Sequence, residues 1–357
     1  MDAARRRDGL GAPHVVSSVI PTHNSWYTKA ERGMNTYPAL PAHCFEKVRL
    51  VIQYLISRLL QALLVIIGVL LVVFMLLQLT GDPARLMLGL DASEEDVNRM
   101  RELLGLNEPL HIQFIKFLGG ALQGDFGESL RFSGQPALSI VLERFPATLQ
   151  LGITALTLAI SLALILGIVA AVKRHSIFDN IAMFIALLGQ SMPSFWLGLM
   201  LITLFAVTWG ILPSMGRGEG FRYVILPALT LAATPLARTT RLVRSCMLDV
   251  LGEDYVRTAR MKGLNERTIV IRHALKNAAI PVVTVVGLDV GFILGGALII
   301  EQVFGWPGVG KLALDSVFAR DFPVVQASVF FLATSLVLIN LFVDILYTWL
   351  DPRVRLD

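Results

Sequence analysis

Long stretches without a single charged side chain constrain this protein more than any other feature of its sequence. Leu59 to Leu79 carries none, nor do Thr148 to Val172, Ile181 to Gly216 and Phe322 to Val343. Asn277 to Ile300 carries one, Asp289. The hydrocarbon core of a bilayer is about 30 Å thick, and a helix rising ~1.5 Å per residue needs roughly 20 apolar residues to cross it. These runs are therefore read as membrane spans. They are read as helices because a helix satisfies its own backbone polar groups where no water can. Val224 to Ala237 is shorter, but an arginine-bearing helix is predicted to continue it. Six spans result. Composition agrees: 16% of the residues are charged, against about 25% in soluble domains.

The run Ile181 to Gly216 holds 36 residues, about 54 Å if it were one helix. Pro193, in the stretch Gln190 to Ser194, lacks a backbone donor and predicts a kink. Interrupted helices at membrane depth can line a path, so Ser191 and Pro193 are candidates for one; a kink filled by a neighbouring helix is the equal alternative. Asp289, near the middle of the fifth span, is a third: an ionisable group there is a functional candidate by default. It can bind a substrate amine or carry a proton. The plainer reading is a carboxyl protonated or hydrogen-bonded to a neighbouring helix.

Orientation follows from lysine and arginine in the short loops. Lys47, Arg49 and Arg58 precede span one, Lys173 and Arg174 follow span two, and Arg353 and Arg355 follow span six. Nine Lys/Arg against four Asp/Glu lie between Arg238 and Lys276. All fall on one side, taken as the cytoplasm, so both termini are cytoplasmic. The net charge of +4 fits anionic lipid headgroups, because the basic residues sit beside spans and no nucleic-acid motif accompanies them. The two cysteines, Cys44 and Cys246, and the tail histidines His14, His23 and His43 have no metal-ligand spacing.

Residues 1–48 read as a polar, disordered cytoplasmic tail without helical periodicity. Residues 49–79 form the first transmembrane helix, read as an uncleaved signal anchor despite Arg5 to Arg7 upstream. Residues 80–146 form an external helical segment. In it Gly81-Asp82-Pro83 makes a turn, and Asp91 to Leu104 makes a helix capped by Asp91 or Ser93 and ended by Gly105. Pro109 to Leu122 makes another, with Leu110, Phe114, Phe117 and Leu118 on one face. Residues 147–348 carry the remaining spans, and 349–357 the C-terminus.

The stretch Leu251 to Pro281 reads as two helices about a glycine. Glu253 and Asp254 open the first and Arg260 and Lys262 close it, as the helix dipole favours. Gly263 is placed to end it in a left-handed conformation. Asn265 caps the second, which runs toward the fifth span, where Pro281 marks the start.

Asp254-Tyr255-Val256-Arg257-Thr258-Ala259-Arg260 with Lys262-Gly263 resembles the coupling loop of binding-protein-dependent ABC importers, in the branch that moves dipeptides, oligopeptides, glutathione and nickel. That loop generally reads Glu-Ala-Ala, with Gly four residues after the second Ala. Arg257, Thr258, Ala259 and Gly263 stand at the matching positions. The resemblance covers nearly everything after residue 50. It includes Arg144 to Leu149 (RFPATL), Ser191 to Phe195, Glu301 to Gly310 (EQVFGWPGVG), Arg320 to Gln326 and Asp351 to Arg355.

The resemblance implies an all-α integral membrane protein with the six-helix type I importer permease fold, in a bacterial inner membrane. It implies a permease that moves di- or oligopeptides, or alternatively glutathione or nickel. The partners implied are a second similar permease, two ATPase subunits that bind ATP and magnesium, and an external substrate-binding protein. This chain itself carries no cofactor, metal or catalytic residue. Glu253, Asp254, Tyr255, Arg257, Thr258, Ala259, Lys262 and Gly263 are implied to dock on an ATPase, with Ala259 at the close approach. Family members usually carry an amide at the position of Asp289, so this residue departs from the pattern.

Two rival readings come from other classes. Gly305 to Lys311 fits the start of a phosphate-binding loop, but Leu312 replaces the Ser/Thr that holds magnesium and no βαβ unit surrounds it. Glycines for tight packing in a turn explain it better. The other rival is an ion-coupled secondary transporter working through Asp289.

Overall fold

A computed structural model describes residues 42–80, 83–88, 93–103, 105–132, 134–218 and 220–350. The residues 1–41, the Gly81-Asp82 turn and the motif at 351–355 lie outside them. The chain divides into two units, Met1–Val51 and Ile52–Asp357. Of the first, only the beginning of a helix is described, and everything below concerns the second.

Among the described residues the structure is helical, with one isolated β-bridge, Glu128 to Pro136. Helix α1 spans Ala42–Thr80 and so starts before residue 49, inside the stretch read as tail. Three short helices follow, α2 (Pro83–Leu88), α3 (Glu94–Leu103) and α4 (Leu110–Gln123). Then come α5 (Ala137–Val172), α6 (Ile177–Ser191) and α7 (Ser194–Leu201) with a π-helical continuation, Ile202–Thr208. Helix α8 is Arg222–Leu251 and α9 is Asp254–Met261. The short α10 (Glu266–Thr268) passes through a π-helical turn, Ile269–Ala274, into α11 (Leu275–Val303). Helices α12 (Val309–Phe318) and α13 (Phe322–Leu350) complete the described chain.

Among the described residues, four helical segments are long and apolar enough to cross a membrane: Ile56–Met75, Ala137–Val172, Glu266–Val303 and Phe322–Ile345. The pair α6 and α7 makes a fifth if counted as one bent span. Helix α8 is not among them: its uncharged stretch from Val224 to Ala237 holds 14 residues and ends at Arg238. Pro281 lies inside α11 and does not mark its start, since the helix after Asn265 runs on without a stop.

The core forms where α5, α8 and α11 meet. On α5, Ala155, Ala159, Ala163, Gly167 and Ala171 recur every fourth residue and are buried. In a bilayer, where lipid is as apolar as leucine, helices associate by close backbone approach, and small residues permit it. Gly167 shows how close: a Cβ there would sit 2.7 Å from the Cβ of Val243 and 2.9 Å from the carbonyl oxygen of Thr240.

Helix α4 caps a second cluster. Phe114, Phe117 and Leu118 pack with Leu70, Phe74 and Phe126, and the rings of Phe74 and Phe114 lie 5.5 Å apart edge to face. Leu110, expected on the same face, is instead exposed. Ser93 caps α3, its hydroxyl accepting the Asp96 N–H at 3.2 Å, and Gly105 beyond the helix has φ +66.

Candidate functional site

The turn around Gly263 is built as its residue types dictate. Gly263 has φ +76, a conformation that costs other L-residues ~1–2 kcal/mol. Asn265 caps α10, its side-chain oxygen accepting the Arg267 N–H at 3.1 Å. Arg260 reaches back over the turn to Glu266, Nε to Oε1 at 2.8 Å. Glu253 stands at the N-cap of α9 without a side-chain bond, while Asp254 lies in the first turn.

Helix α9 is seated by its inner face. Val256 and Ala259 are buried against Ile269 and Leu251 of the same chain. Ala259, implied by the resemblance to stand at the close approach to an ATPase, is thus seated on its own chain. At i and i+3, Val256 and Ala259 form one apolar stripe, and the nearest apolar surface is the chain's own π-helical turn. Outward stand Asp254, Tyr255, Arg257, Thr258, Met261, Lys262 and Gly263, all exposed. The Tyr255 hydroxyl accepts a hydrogen bond from Asn277 Nδ2 at 2.7 Å, which ties α9 to the start of α11.

Deeper in the helices, Asp289 is fully buried and ion-paired to Arg238 of α8. Its second oxygen accepts the Thr239 hydroxyl at 3.3 Å. Arg238 is counted by the loop-charge argument among the cytoplasmic basic residues. The structure puts it midway along α8, opposite Asp289, which is midway along α11. A linear charge count cannot separate a loop arginine from one inside a helix. The only clue is the preceding apolar run from Val224, which needs Arg238 to reach spanning length. A second pair is also invisible locally: Arg244 grips Asp179 of α6 with both forks, at 2.6 and 2.8 Å.

Ser191 and Pro193 stand at a break sharper than the predicted kink, where α6 and α7 differ in direction by 114°. Met192, before the proline, is extended at φ −91 and ψ 132, the region a following proline favours. Pro193 then serves as N-cap of α7, where its missing N–H matters little. Just before the break, Gly189 approaches α8, where a Cβ would lie 2.9 Å from the Ala233 carbonyl and 3.5 Å from the Ala237 Cβ. The break thus adjoins the part of α8 that carries Arg238. No hydrogen bond or ion pair joins Ser191 or Pro193 to Asp289 among the described residues.

The glycine-rich run after α11 is a packing turn. Glu301, fully buried, accepts the Thr148 hydroxyl at 2.6 Å and the Lys311 N–H at 3.0 Å, so its carboxylate lies at the N-terminus of α12. The Thr148 hydroxyl oxygen in turn accepts the Val309 N–H at 2.9 Å, and Trp306 Nε1 donates to the Ala147 carbonyl at 2.8 Å. A Cβ on Gly310 would sit 2.6 Å from Leu298 Cα. The backbone donors a phosphate would need are thus taken by a side chain of the same chain. Asp321 works similarly: buried, it binds the Ser129 hydroxyl and the N–H groups of Leu130 and Arg131, both at 3.2 Å. Among the described residues no group of three His, Cys, Asp or Glu is placed to hold a metal.

Long apolar helices joined through small residues, with ion pairs set between them, mark an integral membrane protein of several spans. The chain belongs to the family of binding-protein-dependent transport system inner membrane components. That family's model matches residues 163–356, and the model of its N-terminal part matches residues 51–152. It is a membrane permease of the ABC importer class, and not an enzyme.

The chain is similar to the glutathione transport system permease protein GsiC of Escherichia coli (strain K12) and of Salmonella paratyphi A (strain ATCC 9150 / SARB42). Each is 44% identical over 306 residues, covering 85% of this chain and 99% of the relative. Among solved structures it is similar to a chain of the MetNI methionine ABC transporter in an inward-facing conformation. There the TM-score is 0.50 at 16% identity, over 59% of this chain and 96% of that one, a likeness of fold alone.

Proposed function

We propose that this chain is the permease subunit through which an ATP-driven importer moves glutathione or a peptide of similar size. The observation that carries the reading is the 44% identity to glutathione permeases over 99% of their length. Longer peptides are the second reading, supported by the coupling-loop pattern that the branch shares. The working unit pairs this chain with a second permease. Two ATPase subunits bind ATP and magnesium, and a binding protein delivers cargo from outside. The six spans are α1, α5, the bent pair α6 and α7, α8, α11 and α13, with both termini in the cytoplasm of an inner membrane. Helix α9 and Gly263 then face the cytoplasm and dock on an ATPase through the outward residues from Asp254 to Lys262. ATP favours one permease state over the other, and α9 carries that preference into the membrane.

An ion-coupled carrier working through Asp289 is disfavoured, because Arg238 already occupies the carboxylate that such a carrier must titrate. The test is uptake of radiolabelled glutathione into proteoliposomes holding the assembled importer and its loaded binding protein. Uptake is expected only with ATP and the ATPase subunits. Uptake driven by a proton gradient without them overturns the reading. Cysteine labelling from outside is expected to reach a probe at Gln123 and to miss one at Glu266, and the reverse pattern overturns the orientation.

A further inference from the structure

We propose that Arg238, held at mid-membrane depth by Asp289, is the point at which the translocation path takes the carboxylate of an anionic peptide. This rests on the permease reading above and names the chemical class of its cargo.

The ion pair is one-sided. The Asp289 side chain is 2% exposed, and that of Arg238 is 43% exposed. The acid is sunk in the seam between α8 and α11, and the guanidinium emerges from it. Phe292, on the outward face of α11, lies against the guanidinium with 5.7 Å to the ring centroid. A guanidinium has five N–H donors in a planar fork, and one carboxylate on one edge cannot use them all. Asp289 and the ring fix the plane of the fork, which leaves donors directed outward.

The direction of that exposure is constrained. An arginine facing lipid at the bilayer centre costs at least ~2.5–3.5 kcal/mol, and such residues instead face protein or a water-filled space. Asp289 stands 12 and 11 residues from the ends of the apolar run Asn277 to Ile300, about 17 Å by helix rise, which sets headgroup phosphates beyond the reach of the arginine paired to it. On α8 the outward positions after Arg238 are Arg241, Ser245 and Asp249, so the exposed ridge stays polar toward the α9 end. Such a polar ridge, on a helix whose other positions from Val224 on are buried or half-buried, suits the wall of an aqueous path. The break at Pro193 adjoins the same stretch of α8 through Gly189. A planar fork with free donors binds a carboxylate bidentately, and this distinguishes it from a lysine point charge.

The test uses the assembled importer with Cys44 and Cys246 replaced by serine, and glutathione as probe. Arg238→Cys is made together with Asp289→Asn, so that no acid is left needing neutralisation. Uptake is expected to fall roughly tenfold or more, the loss of a charge-assisted hydrogen bond. A 2-aminoethyl thiosulfonate reagent, which returns a cation with N–H donors but no planar fork, should restore part of it, and the sulfonate analogue should not. Uptake of the double variant equal to the parent's overturns the proposal, because Arg238 would then only neutralise Asp289. Equal responses to the two adducts overturn it as well. So does absence of labelling in every nucleotide state, the result expected if a partner permease covers the site.

Arg238→Lys supplies a second readout if the double variant fails to assemble. It keeps the ion pair and loses the fork, so uptake should drop severalfold, and parental uptake refutes the fork. If the parent importer itself ignores glutathione, the cargo proposed above is wrong. The same variants are then scored on acidic against amidated dipeptides, and equal treatment of the two overturns the anion site independently.

Discussion

Replacing Gly263 tests the coupling turn with the fewest confounding effects. At φ +76 the residue sits in the left-handed region, yet a Cβ built there meets no atom within 4 Å. A side chain therefore costs backbone conformation and nothing else, ~1–2 kcal/mol for alanine. That shifts the balance between closed and opened turn by a factor of about 5–30. The amides that report opening are Gly263, donating to the Arg260 carbonyl at 2.9 Å, and Leu264, donating to Ala259 at 3.3 Å. Hydrogen exchange at these two should quicken by that factor in Gly263→Ala and more in Gly263→Val, which also loses side-chain freedom. Gly263→Asn should cost least, since asparagine enters the left-handed region readily. Under the proposed docking of α9, ATP-driven uptake follows the same order while the permease still inserts. Equal exchange in all three variants, or a larger loss for Asn than for Val, refutes the conformational argument. Parental uptake in Gly263→Val with accelerated exchange refutes the coupling role instead.

Two further expectations concern the interior. Thr148→Val removes the hydroxyl between Glu301 and Val309 N–H and leaves both groups short of a partner in a buried site; unfolding in detergent should show ~1–3 kcal/mol of lost stability, and an unchanged melting temperature would contradict it. Pro193→Ala returns a backbone donor at the 114° break, so uptake should change more than co-purification with partner subunits, and unaltered uptake would leave the break a purely structural feature.

Local chemistry was legible where one residue type answers one backbone demand. Gly263, Asn265, Ser93 and Gly105 were readable because a left-handed φ or an orphan N–H selects few side chains. The spans were readable because lipid tolerates so little else. Pairings across the fold were not. Asp179 and Arg244 are distant in sequence, and Asp289 and Arg238 lie on helices separated by α9 and α10. Hydropathy also misplaced Arg238, since an arginine that ends an apolar run looks like a loop charge until its partner is seen. The inward seat of Ala259 shows another limit. Helical spacing identifies an apolar stripe but not which surface it covers.

The geometry also bears on how much load α9 can carry. It hangs between the two elements that meet at the Arg238–Asp289 pair, with α8 entering it and α10 leading on to α11. About 20 Å of α8 separates Arg238 from its end at Leu251, a length of regular helix able to move as one body. Inverting a two-state population from 1:99 to 99:1 takes about 5.5 kcal/mol. Burying a valine or isoleucine side chain contributes ~1.5–3 kcal/mol each, so Val256 and Ile269 together hold α9 with a free energy of the same order. The Tyr255–Asn277 hydrogen bond, worth ~0.5–1.5 kcal/mol, falls well short alone. Under the proposed docking, the apolar seat, and not the polar tie, is therefore what would let a force applied to the outward face of α9 reach the membrane before the helix lifts off its own chain.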